Sequence, residues 1–172
     1  MGSRVLTTVD EYRRSHFEGV DRDYIDGEVV ERHMGELPHA ILQAELAYRL
    51  RIAGESLGLK TLTEICIQVM PTRFRVADLA VWRPGDIGTR IPTVAPFLVA
   101  EILSPEDRIV RIQPKVREYL THGAEFVWVV DPDERRALCY SQSDPGGTLV
   151  EDLRTANPNL HIPLSELLAA LK

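Results

Sequence analysis

Two carboxylates stand inside otherwise apolar runs of this chain, Asp78 in VADLAVW and Glu101 in PFLVAEILSP. Both runs have the composition of buried strands, so both acids are carried into the interior. A buried charge without a partner costs on the order of several kcal/mol, and either arginines or a bound divalent cation must compensate it. Side chains alternate across a strand, so Asp78 shares a face with Val76 and Ala80, and Glu101 shares one with Val99 and Leu103. If the two strands are neighbours in one sheet, the carboxylates converge. Hard oxygen ligands with room for water suit Mg²⁺ or Mn²⁺, which is commonly held by one or two carboxylates plus a substrate phosphate. Such a cation lowers the pKa of a bound water, polarises a phosphoryl oxygen and steadies the leaving oxygen, which is the chemistry of phosphodiester hydrolysis. Asp78 and Glu101 are therefore the candidate metal ligands.

A basic segment, Arg108, Arg111, Lys115 and Arg117, follows Glu101 and supplies a positive counter-field for phosphate. Arg108 and Arg111 are candidate phosphate contacts; a solvated helix face is the other reading of both. Pro114 is suited to the first turn of a helix and would place Lys115 in that turn, where a cation opposes the helix dipole at about 0.3 to 1 kcal/mol. An unfavourable residue points to another use, here orienting the attacking water or stabilising charge on the phosphate. Glu45 and Glu64 are read as ordinary helix and strand acids outside the site. The chain has no P-loop, GxGxxG, GxSxG or zinc-ligand cluster.

The elements that must position these groups follow from local signals. Thr8 and Glu11 form a TxxE capping box, predicting a short helix over about residues 8 to 16. Asp26 and Gly27 separate Arg22–Ile25 from Glu28–Glu31 and predict a hairpin with a type I′ turn. Apolar residues at three- and four-residue spacing mark a helix from Leu37 to Leu57, with Gly58 as its stop. Thr61–Met70 and Arg73–Trp82 are a second hairpin, and Pro96–Leu103 is a central strand covered on both faces. A helix over Pro114–His122 then leads to strands Phe126–Val130 and Arg136–Tyr140, the first of them parallel to Pro96–Leu103. A short helix over Leu164–Leu171 closes the chain after a loop at 141–147.

At 172 residues the sequence suits a single domain, 1–172. Its 44% hydrophobic and 27% charged content is that of a globular protein, with no apolar run of membrane-spanning length. Cys66 and Cys139 lack CxxC spacing and read as free thiols of a reducing cytosol, and MGSRVLTTVDEYRR lacks the apolar core of a signal peptide. The expected location is the cytoplasm. A net charge of −6 excludes a generic nucleic-acid coating protein but not a metal-dependent nuclease, whose cations offset its carboxylates.

YIDGEVVE at 24–31, His39, RVADLAVW at 75–82, PFLVAEILSP at 96–105 and KVREYLTHGAEFVWVVDP at 115–132 together resemble the Uma2 (DUF820) family of the PD-(D/E)XK superfamily, over about Thr7 to Leu171. The resemblance implies an α/β fold, a restriction-endonuclease-like core with a mixed central β-sheet flanked by helices, preceded by an N-terminal helix and hairpin. It also implies Mg²⁺-dependent cleavage of DNA, with Asp78 and Glu101 on the metal, Lys115 as the catalytic lysine moved onto the following helix, and homodimerisation. Glu28 and His39 match family positions and are auxiliary candidates, an exposed hairpin acid and a packing histidine being their other readings. Three positions depart from the pattern: Ala77 stands for proline, Leu103 for the lysine two places after the acid, and Arg111 for an aspartate. The competing reading is a catalytically inert binding or assembly module on the same fold, and a third is hydrolysis of RNA or a small phosphate ester.

Overall fold

The structure, a computed structural model, describes residues 6–16, 22–32, 35–85, 87–88, 90–104 and 109–172, without the side chains of 109–111. It opens with helix α1 (Val9–Arg14), whose capping box forms as read: Glu11 N–H donates to Thr8 Oγ1 at 3.2 Å and Thr8 N–H to Glu11 Oε2 at 2.7 Å. Strands β1 (Asp23–Ile25) and β2 (Glu28–Val30) pair antiparallel. Their turn holds Asp26 at φ 49° and Gly27 at φ 100°, both positive as a type I′ turn requires. Helix α2 (Leu37–Glu55) ends in a Schellman closure, with Leu59 N–H donating to Gly54 O at 3.0 Å, Gly58 N–H to Glu55 O at 3.1 Å, and Gly58 at φ 66°.

Strands β3 (Lys60–Met70) and β4 (Arg73–Trp82) form the expected second hairpin. After β5 (Leu98–Ile102), helix α3 (Ile109–His122) crosses over to β6 (Phe126–Asp131), which runs parallel to β5 with Glu101 beside Val129. Strands β7 (Arg136–Ser141) and β8 (Thr148–Val150) extend the sheet antiparallel. Strands β9 (Asp152–Arg154) and β10 (His161–Pro163) make a separate ribbon, and α4 (Leu164–Leu168) runs into a 3-10 turn, Ala169–Leu171. Among the described residues the main sheet has eight strands, in the order β2-β1-β4-β5-β6-β7-β8, with β3 on the opposite edge of β4. It is mixed and mostly antiparallel.

Helices cover both faces, so β5 is buried along its whole length. On one face Leu42, Leu46 and Leu50 of α2 and Leu167 of α4 pack on Leu79, Leu98 and Trp128. On the other, Val116, Tyr119 and Leu120 of α3 pack on Ala80, Val99 and Val127. Among the described residues no helix is long and apolar enough to cross a membrane.

Two expectations need correction. Helix α3 starts at Ile109, and Pro114 lies inside it instead of opening it. Ile112, Val116 and Tyr119, all buried at helical spacing, carry the apolar face back past the proline, and their burial outweighs one missing backbone hydrogen bond. Lys115 therefore sits in the second turn, clear of the first-turn dipole penalty. The second correction is β8, β9 and β10, where no strand is expected from the sequence; three residues are too few to show a period.

Candidate active site

Strand β4 changes partner along one edge. Arg73 and Phe74 face Ile25 and Tyr24 of β1, whereas Leu79, Ala80 and Val81 face Ala100, Val99 and Leu98 of β5. Between them, Arg75 to Asp78 have no strand beside them on that edge among the described residues, and side chains take over from the ladder. Val76 N–H donates to Asp23 Oδ1 at 2.8 Å, Val76 O accepts from Lys115 Nζ at 2.8 Å, and Ile102 N–H donates to Asp78 Oδ2 at 2.8 Å. Buried backbone groups must be satisfied, and here acidic and basic side chains satisfy them.

The β4–β5 ladder ends at Leu79 and Ala100, one step short of Asp78 and Glu101. Both carboxylates are buried, at 2% and 3% exposure, and both line one cavity of about 290 Å³ together with Asp23, Arg32, His39 and Lys115. Glu101 Oε2 accepts from Lys115 Nζ at 2.8 Å and Oε1 from the Tyr119 hydroxyl at 2.9 Å. Lys115 and Tyr119 are one helical turn apart on α3, which explains how both reach the same carboxylate. Asp78 Oδ1 accepts from Arg32 Nη2 at 2.6 Å, and Oδ2 lies 3.2 Å from His39 Nε2 on the first turn of α2. Gly35 leaves room for that imidazole, because a Cβ there would stand 2.8 Å from His39 Nδ1.

Burial pushes Glu101 up to about 7, against the lowering influence of the Lys115 ammonium. Asp78 is also penalised by burial, yet the His39 hydrogen bond and the Lys115 and Arg32 charges outweigh it and hold its carboxyl below the ordinary range. His39 is raised: burial disfavours the imidazolium, but its bond to Asp78 and the Asp78 charge prevail. Burial likewise opposes the Lys115 ammonium, and Glu101, Asp23 and Asp78 together keep it above the usual lysine value. The site thus holds two buried carboxylates of unequal acidity, the feature that separates roles among like groups.

The sequence-derived site residues fall into three groups. Asp78, Glu101, Lys115 and His39 meet at the cavity. Glu28 lies on β2 outside its lining. Arg108 lies outside the described residues, and Arg111 is on α3 with its side chain outside them. Arg32 goes unnoticed in the sequence because it sits in a loop with no periodic context. Glu64, read there as an ordinary strand acid, belongs to the network: its carboxylate accepts from Arg32 Nη1 and Gln43 Nε2, both at 2.6 Å, and Gln43 also donates to Asp78 O at 3.1 Å. Glu64 stands opposite Asp78 in the β3–β4 hairpin with φ 48°, a left-handed kink within a strand. Glu45 does lie elsewhere, paired with Arg49. In the cavity wall, Arg75 bridges Asp23 at 2.9 Å and Glu118 of α3 at 2.6 Å.

Among the described residues no three His, Cys, Asp or Glu side chains form a preformed metal cage. Two carboxylates suffice for a cation that retains its waters, and each carboxylate oxygen has two lone pairs, so the protein donors do not exhaust Asp78 and Glu101. A buried carboxyl that ionises only near neutrality also gains from added positive charge. The donor set fits Mg²⁺ or Mn²⁺.

A crystal structure from Anabaena variabilis ATCC 29413, described as "a putative nuclease belonging to DUF820", has a similar fold, with TM-score 0.81, 21% identity, and coverage of 96% of this chain and 99% of that one. No curated protein matches the chain. Residues 9–171 match the Uma2 family, described as "Putative restriction endonuclease". The chain belongs to the Uma2 family.

Proposed function

We propose that the protein is a Mg²⁺- or Mn²⁺-dependent endonuclease that hydrolyses DNA phosphodiester bonds in the cytoplasm. The observation that carries this reading is the meeting of Asp78, Glu101 and Lys115 at one cavity, with Lys115 Nζ 2.8 Å from Glu101 Oε2. The family's description and the nuclease described for the Anabaena structure support it.

Asp78 and Glu101 would hold the cation, which supplies Lewis-acid polarisation of the phosphate and a more acidic water. The chain's own residues do the rest. Lys115 spends two of its three donors on Glu101 and Val76 O, which leaves one for a phosphate oxygen or the attacking water. Being fixed by a backbone acceptor, that donor is oriented before substrate arrives. His39 and the Ile102 N–H hold Asp78 Oδ2 from two sides and fix the plane of its carboxylate. The homodimer belongs to the same reading: Tyr48 and Ile52 on α2 are 61% and 55% exposed, a turn apart, beside the β3 edge that carries no partner strand among the described residues.

The test is plasmid nicking with Mg²⁺ or Mn²⁺, RNA and a small phosphodiester being run in parallel. The wild type is expected to convert supercoiled DNA to open circles, and Glu101→Gln to lose at least about 100-fold of that rate, the loss typical of a removed electrostatic stabiliser. Intact plasmid at every divalent cation tried would overturn the assignment. The inert binding module is favoured by two observations: Arg32 already neutralises Asp78, and Leu103, where the superfamily has its lysine, is buried in the core under α3. Calorimetry with Mn²⁺ separates the two readings, since only the nuclease requires binding that Asp78→Ala abolishes.

A further inference from the structure

Two cations serve the two carboxylates, and they are held differently. Lys115 has 10% side-chain exposure and is tied to a backbone carbonyl as well as to Glu101. Arg32 sits in the loop after β2, and its hydrogen bonds are to carboxylates: Nη2 on Asp78 Oδ1 and Nη1 on Glu64 Oε2, both 2.6 Å. Asp78 is buried and held by the fold, whereas the Glu64 side chain is 46% exposed and lies outside the cavity lining. Arg32 is thus a guanidinium on a loop with one foot on the buried acid and one on an outlying acid. The oxygen it covers, Asp78 Oδ1, is also the Asp78 oxygen without a bond to His39 or the β5 backbone, and so the one best placed to receive a ligand-bound cation.

We propose that Arg32 is an exchangeable counter-cation: it neutralises Asp78 in the metal-free protein and yields Oδ1 to the divalent cation by moving fully onto Glu64. This rests on the metal-site reading above and adds its regulation. No covalent bond is made or broken; one positive group replaces another at a buried carboxylate, which keeps the metal-free site folded and scales the apparent metal affinity down to the fraction of time that Arg32 is away. Glu64, in its kinked strand position, is the waiting partner.

Calorimetric titration with Mn²⁺, paired with thermal melts in EDTA and in Mn²⁺, tests this. With Arg32 covering Asp78 about nine-tenths of the time in the metal-free wild type, Arg32→Met is expected to bind Mn²⁺ about tenfold more tightly. It should also melt lower in EDTA and gain more from Mn²⁺. Arg32→Lys keeps the charge but loses the two-pronged grip, so it too should bind more tightly; a mere field effect would leave it unchanged. Glu64→Gln, which removes the waiting partner, should bind several-fold more weakly by the same linkage. Wild-type binding that Asp78→Ala abolishes, combined with Arg32 variants that bind no tighter, overturns the exchange and spares the metal site. Absence of Mn²⁺ binding in every variant overturns both.

Discussion

Glu101 keeps a raised pKa, up to about 7, although Lys115 and Tyr119 both donate to it, because its burial is nearly complete. A proton and a metal ion compete for such a group, so Mn²⁺ affinity should climb as the pH rises towards about 7 and flatten above it, with about one proton released per cation bound below that pH and none well above it. Titrations in buffers of different ionisation heat measure that release, and Glu101→Gln should abolish it. In the metal-free protein the sign is opposite. The folded pKa lies above the model-compound value of 4.5, so folding takes up a proton: the stabilisation is complete below about 4.5 and fades as the pH rises through about 7. The melting temperature of wild type relative to Glu101→Gln, in EDTA, should fall across that window. Asp78 and Glu101 were legible because a carboxylate inside an apolar run contradicts its surroundings. Arg32 contradicts nothing around it in the sequence, and only the folded loop brings it to Asp78.

Helix α3 is pinned to the sheet by more than its apolar face. Glu118, one turn beyond Lys115, accepts from Arg75 Nε at 2.6 Å and Arg73 Nη1 at 2.8 Å, and Arg75 also reaches Asp23 on β1. This buried network joins the first hairpin, β4 and α3, and sets the rotation at which Lys115 faces Glu101. Glu118→Ala leaves part of the Arg75 guanidinium buried without its carboxylate and should lower unfolding stability by about 3 kcal/mol, read from urea melts. Replacing Arg75 and Glu118 together by Met and Leu should not recover the loss, because it leaves Asp23 buried without its guanidinium. Elements with strong local chemistry were legible in the sequence, namely the Thr8–Glu11 box, the Asp26–Gly27 turn, and the β3–β4 hairpin. The start of α3 was not, because a proline near a helix end reads as a beginning until the packing of Ile112 and Val116 shows otherwise.

On the scale of the whole molecule, a net charge of −6 leaves little general attraction for a polyanion, so the proposed nuclease would have to grip DNA through the site itself and through area added by the proposed self-association. If the α2 face carries that association, lysines at Tyr48 and Ile52 should turn a dimer into a monomer in sedimentation velocity without lowering the melting temperature, because both side chains are solvent-exposed in the single chain. A sedimentation coefficient unchanged by the double substitution would place any self-association elsewhere. The parallel β5–β6 pair with its helical crossover was readable from the order of the elements, whereas the partner change along β4 was not, since strand order is a property of the assembled sheet.

That partner change ties chemistry to folding. Asp23, Asp78 and Lys115 stand in for a missing strand by bonding the backbone of Val76 and Ile102. On the nuclease reading proposed above, a lineage losing catalysis would not shed these side chains one at a time without prising open its own sheet. Substitutions at Asp78 and Lys115 should therefore lower the yield of soluble protein whatever they do to the proposed activity, and selection for a well-folded scaffold would by itself preserve the acids and the lysine.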